Sequence, residues 1–265
     1  MNYSTDAVGN ITQLAQTVNG ATRTQAIVYD NLNRLKEVRE GASLIEGYTY
    51  DATGNRLSRQ PGTQAAQTYA YGATSHRLGS VAGTARAYDA AGNTGSIAST
   101  PAIELIHDQR NRLTEYRSGG TTLASYQYSA RGERVAKTQG AATQYFVYDE
   151  AGRLIYETGS GSPRTYLWSD DAPIAIIDGT TLTGYIVPDN LGTPRAITNS
   201  AGTAVWRWDQ VAGSSTNGGS AVFGQGAPAT DPDGNGTHVT FNPRFPGQYL
   251  DAESGLHYNY FRDYE

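Results

Sequence analysis

The chain has 265 residues, with 20 Lys and Arg against 25 Asp and Glu, 31 Gly, 19 Tyr, 3 Trp and no Cys. The absence of Cys excludes disulfides, thiolate zinc sites and cysteine nucleophiles and leaves the redox compartment open, while a pI near 5.4 with dispersed Arg argues against nucleic acid as the main partner. No stretch approaches the roughly 18 apolar residues of a membrane span, the first ten residues (MNYSTDAVGN) lack a signal-peptide pattern, and small net charge with many aromatics points to an ordered chain with a thin aromatic core.

A repeat governs the chain from its start. An imperfect copy at Thr5-Asp6-Ala7-Val8-Gly9-Asn10 is followed by Tyr29–Leu35 (YDNLNRL), Tyr50–Leu57 (YDATGNRL), Tyr71–Leu78 (YGATSHRL) and Tyr88–Asn93 (YDAAGN). It continues through His107–Leu113, Tyr128–Val135 and Tyr148–Leu154, at first-residue spacings of 21, 21, 17, 19, 21 and 20 from Tyr29 onward. Trp168 and Pro188 each fall 20 residues after the preceding anchor.

Each unit reads as strand, tight turn, strand. Ile27, Tyr48, Tyr69, Tyr126, Phe146, Tyr166 and Ile186 lie two residues before an anchor, a period of two that puts both side chains on one sheet face. The Asp after the anchor accepts backbone N–H bonds at the start of a turn, and the Gly or Asn beyond it tolerates positive φ. The structural anchors are thus Tyr29 and Asp30, Tyr50 and Asp51, Tyr88 and Asp89, Tyr148 and Asp149. A unit of about 20 residues is a β-hairpin with connectors, and isolated hairpins are marginal, so neighbours must pair. Helix is confined to weak candidates such as Ala15 to Val18. The fold class is all-β, a curved and largely single-layer sheet whose accumulated twist spirals into a shell.

These residues resemble the RHS proteins, whose units are called YD repeats after the Tyr-Asp pair. Pro188-Asp-Asn-Leu-Gly-Thr-Pro-Arg195, Val205–Asp209, Phe223-Gly224 and the run from Arg244 to Tyr264 (RFPGQYLDAESGLHYNYFRDY) are similar to the RHS-associated core. On that resemblance, 1–187 is a YD-repeat hairpin array and 188–265 the core, with a Gly-rich flexible loop at 213–226 (GSSTNGGSAVFGQG). The family, which includes bacterial Rhs effectors, the C component of Tc toxins and teneurin shells, implies a hairpin strip spiralled into a cocoon around a C-terminal toxic domain. Its core forms an aspartyl autoprotease. Arg262 and Asp263 match the family's first protease positions, but the sequence stops at Glu265, before the segment with the second Asp and the cleavage site. Without a dyad to share a proton, no self-cleavage is expected of this chain.

Other candidates weigh toward structure. Arg262 and Asp263 also read as an ion pair near a chain end. Asp231, Asp233 and Asn235 resemble the start of a calcium loop, but Asn242 stands where an EF-hand carries its bidentate Glu, so a turn-rich loop is favoured over a metal. His76, His107, His238 and His257 are scattered, with the first two at repeat positions. No cofactor is expected. The leading functional reading is a non-catalytic, exported or surface-located shell that encapsulates or presents a C-terminal toxin or effector polypeptide as cargo, either as a partial shell or as one completed by a homo-oligomer. The alternative is a surface adhesion or carbohydrate-binding repeat protein that contacts glycan through its Tyr rows.

Overall fold

The structure, a computed structural model, describes residues 2–18, 21–159, 161–208 and 226–265. The chain divides into two compact units, with the boundary between Ala87 and Tyr88. The Gly-rich stretch expected to be a linker lies outside the described residues, except for Gly226.

Among the described residues there is no helix, and the fold is all-β. The first unit carries β1 (Asn2–Thr5), β2 (Ile11–Val18), β3 (Ala21–Tyr29), β4 (Leu35–Glu40), β5 (Ser43–Tyr50), β6 (Arg56–Pro61), β7 (Gln67–Tyr71), β8 (Leu78–Val81) and β9 (Thr84–Tyr88), which reaches the boundary. Each pairs antiparallel with its sequence neighbour. Ala15 to Val18, the helical candidate, is the second half of β2. Its alternating residues pair with β3 from Ala15↔Thr24 to Val18↔Ala21, so the ladder overrides a weak helical preference.

The second unit continues with β10 (Thr94–Ile97), β11 (Ile103–His107), β12 (Leu113–Ser118), β13 (Thr121–Tyr128), β14 (Arg134–Gln139) and β15 (Ala142–Tyr148). Then come β16 (Leu154–Thr158), β17 (Arg164–Ser169), β18 (Ala172–Asp178), β19 (Thr181–Pro188), β20 (Pro194–Thr198) and β21 (Ala204–Arg207). These too pair in sequence order, and the array runs on without a break past Pro188. A separate three-stranded sheet of β22 (Tyr249–Asp251), β23 (Leu256–Asn259) and β24 (Arg262–Tyr264) ends the chain.

Burial alternates as the period of two requires. In β13, Ala124 and Tyr126 are buried while Leu123 and Gln127 are exposed, and Tyr48, Phe146, Tyr166 and Ile186 are buried at the equivalent place in their strands. In the second unit, Tyr166, Ile176, Ile186, Ile197, Trp206, Trp208, Val239 and Phe241 form one cluster, with the last two supplied from beyond the array. A second cluster gathers Leu105, Leu113, Tyr116, Tyr126 and Leu256.

The turns alternate between two kinds. At one end of the strands are two-residue connections headed by a glycine with positive φ, at Gly41, Gly119, Gly140 and Gly179. At the other end stand the Asp turns. In the first of these after a Tyr-Asp pair, Asp30 Oδ1 accepts the N–H groups of Leu32 (2.9 Å) and Arg34 (3.0 Å). The backbone N–H of Asp30 donates to the Arg34 carbonyl at 2.9 Å, and Asn33 sits at φ +59°. This is a three-residue loop closed by a left-handed residue, with the register shift falling between Val28 and Tyr29. Asp51, Asp149 and Asp189 repeat the carboxylate bonds, and Ser129 Oγ and Asn199 Oδ1 substitute for them in two turns.

The anchor residues join each turn to its neighbours. The Tyr29, Tyr50 and Tyr71 hydroxyls donate to the carbonyls of Ile11 (3.1 Å), Leu35 (2.9 Å) and Arg56 (3.1 Å), each on the preceding return strand. In the second unit Tyr128 does the same to Leu113 at 2.6 Å, and the Trp168 indole reaches Leu154 at 2.9 Å. Forward stitches come from the last turn position. Arg34 Nη1 donates to the Asp51 carbonyl at 2.7 Å and Arg112 Nη1 to Ser129 at 3.2 Å, whereas Asn10 Nδ2 reaches Asn33 Oδ1 at 3.0 Å. His76 belongs to this set, with Nδ1 at 2.9 Å from Asn55 Oδ1.

Two outcomes follow. Slight loss of water opposes ionisation of Asp51, but bonds from the Asn55 amide, the Thr53 hydroxyl and the turn N–H groups outweigh it and hold its carboxyl at about 2. A carbon-13 pH titration should place the Asp51 midpoint there; the turn's contribution is complete above the ordinary carboxylate value near 3.8 and fades as pH falls through about 2. Replacing Tyr128 by Phe removes one lateral bond and should cost about 1 kcal/mol in urea unfolding.

Candidate functional site

The residues after Arg207 supply the most concentrated chemistry of the second unit. Asp251, at the end of β22, is 1% exposed and lies between two cations of β14: Arg134 Nη1 donates to its Oδ2, and Lys137 Nζ to its Oδ1 at 3.0 Å. Lys137 also reaches Glu253 Oε2 at 3.3 Å, and Glu253 Oε1 accepts the Tyr126 hydroxyl at 3.0 Å. The Tyr258 hydroxyl accepts the backbone N–H of Arg134 at 2.8 Å.

The Arg134 guanidinium is caged by aromatic faces, 4.3 Å from the Tyr258 centroid and 5.1 to 5.4 Å from Phe146, Tyr126 and Tyr249. Burial alone would disfavour its charge, but the Asp251 carboxylate outweighs burial and raises its pKa above the ordinary arginine value. Arg134 pairs opposite the anchor Tyr128, a register held by Leu35, Leu113 and Leu154 in three other repeats and by Arg56 opposite Tyr50.

A second polar hub lies beside it. Glu157 on β16, 8% exposed, accepts the hydroxyls of Tyr166 and Tyr249, both at 2.8 Å, and the Gln144 amide at 3.1 Å. Asn242 Nδ2 donates to the same Tyr249 oxygen at 2.9 Å. Farther along, Trp206 and Phe241 meet edge to face at 5.1 Å. Gly152, in the turn of the anchors Tyr148 and Asp149, has φ +80°, and a Cβ there would stand 2.2 Å from the Tyr260 hydroxyl. A side chain at that position would displace the Tyr260 ring, and its positive φ also favours glycine.

Arg262 and Asp263 are consecutive in β24, so their side chains leave opposite faces, and no ion pair joins them among the described residues. Arg262 is exposed. Asp263 is partly exposed as a residue, but its carboxyl is enclosed. Burial pushes it up to about 7, with Arg134 lowering it and Asp251 raising it. Asp263 therefore shares the electrostatic surroundings of the Arg134–Asp251 pair, and Arg262 does not belong to them.

In the loop resembling a calcium site, Asp231 Oδ1 and Oδ2 accept the N–H groups of Asn235 and Gly236, both at 3.1 Å, and Asp233 Oδ2 accepts the Asn235 amide at 2.9 Å. These oxygens close a turn. No group of three His, Cys, Asp or Glu suited to a metal occurs among the described residues. His257 and His107 are held below the ordinary imidazole value, chiefly by burial.

Sequence reasoning did not single out Arg134, Lys137, Glu157, Asp251 or Glu253. No local signal marks them: Arg134 takes the register that Arg56 holds opposite Tyr50, and the carboxylate that pairs with it comes from 117 residues away.

The sequence matches the family described as Teneurin YD-shell over residues 1–210. It is 26% identical over 212 residues to the double-stranded DNA deaminase toxin A of Burkholderia cenocepacia (strain H111), covering 67% of this chain and 14% of that protein. Its structure is similar to the crystal structure of TcdB2-TccC3, with a TM-score of 0.59 and 16% identity, over 99% of this chain and 17% of that one. At that identity the likeness is one of fold, and the chain spans a small part of both relatives.

Breaking the buried pair should be costly. Asp251→Asn or Arg134→Leu alone should destabilise the second unit by about 3–5 kcal/mol in denaturant unfolding, with the double replacement less damaging than the sum. Asp263 gives the opposite pH dependence from the turn carboxylates. Its raised native pKa favours the protonated form, so stability declines as pH rises from about 4 through about 7. Asp263→Asn should flatten that slope and be the more stable protein at pH 8.

Proposed function

The chain belongs to the teneurin YD-shell family, and from that premise we propose that it forms a stretch of shell wall that encapsulates or presents a toxin or effector polypeptide. The observation that carries this reading is the pairing of an uninterrupted hairpin array with a terminal segment locked onto it through Arg134, Lys137 and Asp251. A wall of hairpins encloses space without a thick core, and a segment fixed against it closes part of that space. The kinship with a protein named as a toxin supports the same role and an exported or extracellular setting.

On this reading 1–187 is repeating wall, and the core of 188–265 begins with the last hairpin of that wall, β20 and β21, and ends in the segment that closes it. Arg262 and Asp263 are positions of an autoprotease core, and further repeats or other copies of the chain complete the wall. Deaminase chemistry is not part of the proposal, because the match covers 14% of that relative. The exposed Tyr145 and Tyr185 favour one second reading, contact with glycan through aromatic faces.

The test uses the natural polypeptide that carries this chain together with its effector. The effector segment should resist protease while the wall is intact and become digestible in the Arg134→Ala and Asp251→Ala variants. Equal digestion with the wall intact and opened would sink encapsulation. Glycan-array binding lost in Tyr145→Ala and Tyr185→Ala would instead support the second reading.

A further inference from the structure

Arg134, Arg195 and Arg244 are buried guanidiniums of the second unit that sit among aromatic rings. Arg134 has Asp251, and Arg195, which lies 5.3 Å from the Trp208 centroid, has Asp189 at 2.9 Å. Arg244 is the exception. It is 3% exposed, its guanidinium lies 5.2 Å from Trp208 and 5.8 Å from Trp206, and its Nη1 donates to the carbonyls of Phe241 (2.7 Å) and Pro243 (3.1 Å). Among the described residues no carboxylate stands within 4.0 Å of it. Carbonyl dipoles and ring faces offset part of a buried charge, but a buried cation ordinarily has an anion. Burial accordingly pulls Arg244 down to about 10.

Arg244 is also part of the wall of a cavity of about 470 Å³, whose other walls include Tyr148, Trp168, Phe245 and Tyr260, with Asp171 at its exposed edge. That volume lies in the range of small-molecule sites, roughly 300–1,000 Å³. Tyr148 departs from the other anchors here. Tyr50 and Tyr128 donate to a neighbouring carbonyl, whereas the Tyr148 hydroxyl has no hydrogen-bond partner among the described residues. Aromatic walls and, among the described residues, a hydroxyl and a cation that lack partners occur together at this cavity.

We propose that this cavity binds a carboxylate carried on an apolar ring, with the anion supplying the counter-charge of Arg244 and the ring packing against Trp168 and Phe245. Such a ligand is either a free aromatic acid or the carboxyl end of a polypeptide finishing in an aromatic residue. The proposal does not depend on the encapsulation reading.

Calorimetric titration of the chain with phenylacetate and with phenylacetamide, its uncharged counterpart, tests it. Phenylacetate should bind about tenfold more tightly. Arg244→Gln should remove that preference, Arg244→Lys should keep part of it, and Trp168→Leu should weaken both ligands alike. If the Arg244 variants fail to fold, the preference of the unaltered protein and its response to Trp168→Leu still decide. Equal affinity for the two ligands, or no saturable binding of either at millimolar concentration, overturns the proposal. Tighter binding of acetyl-Gly-Phe than of phenylacetate, lost in its C-terminal amide, assigns the site to a polypeptide end; weaker binding assigns it to a free acid.

Discussion

A carboxylate that accepts backbone N–H groups two and four residues ahead of it underlies everything else in this fold. By closing the turn, Asp30 or Asp149 fixes the direction in which the chain returns and the register in which the return strand pairs. The same closure sets the Tyr before it and the Arg or Asn after it at the end of the sheet, where they reach the turns on either side. Order that a thicker domain obtains from buried aliphatic volume comes here from polar stitching along one row of turns. This accounts for an array that is regular although its core is thin and aromatic.

The second unit adds buried charge to that scheme. Asp251, Lys137, Arg134 and Glu253 are nearly water-free, and their opposite charges meet across the seam between the array and the terminal segment. Such pairs contribute little net stability when compared with apolar packing, yet they discriminate strongly against any arrangement that leaves one partner alone. The terminal segment therefore has one place to sit. Glu157, with three donors converging on it from two hairpins and the terminal segment, specifies position in the same way.

The repeating part was legible in the sequence because it is local. Tyr-Asp followed by Gly or Asn and then Arg-Leu is a complete instruction for one turn, and strand, turn and facing came out at Tyr29, Tyr50 and Tyr148 as the pattern implied. Ala15 to Val18 misled because a window of four residues does not contain the ladder partners, Ala21 to Thr24, that decide it. The seam was illegible for a related reason. Arg134 and Asp251 are 117 residues apart, and nothing near either one names the other. Arg262 and Asp263 were singled out as a unit, but consecutive residues in a strand point apart, and only Asp263 enters the enclosed surroundings of Arg134.

Pairing strictly in sequence order has a mechanical side. Within either unit, each strand is held by the strand before it and the strand after it, so a pull on one end of the array is borne by a single ladder at a time. Hairpins would peel off in succession, each at a modest force, with the remainder still folded. The seam behaves differently. Its contacts tie β14 to a segment more than a hundred residues later, so peeling that starts beyond the seam must break several buried bonds together before the first strand of the array comes free. A polypeptide built this way resists opening at the seam and yields progressively once the seam has given way.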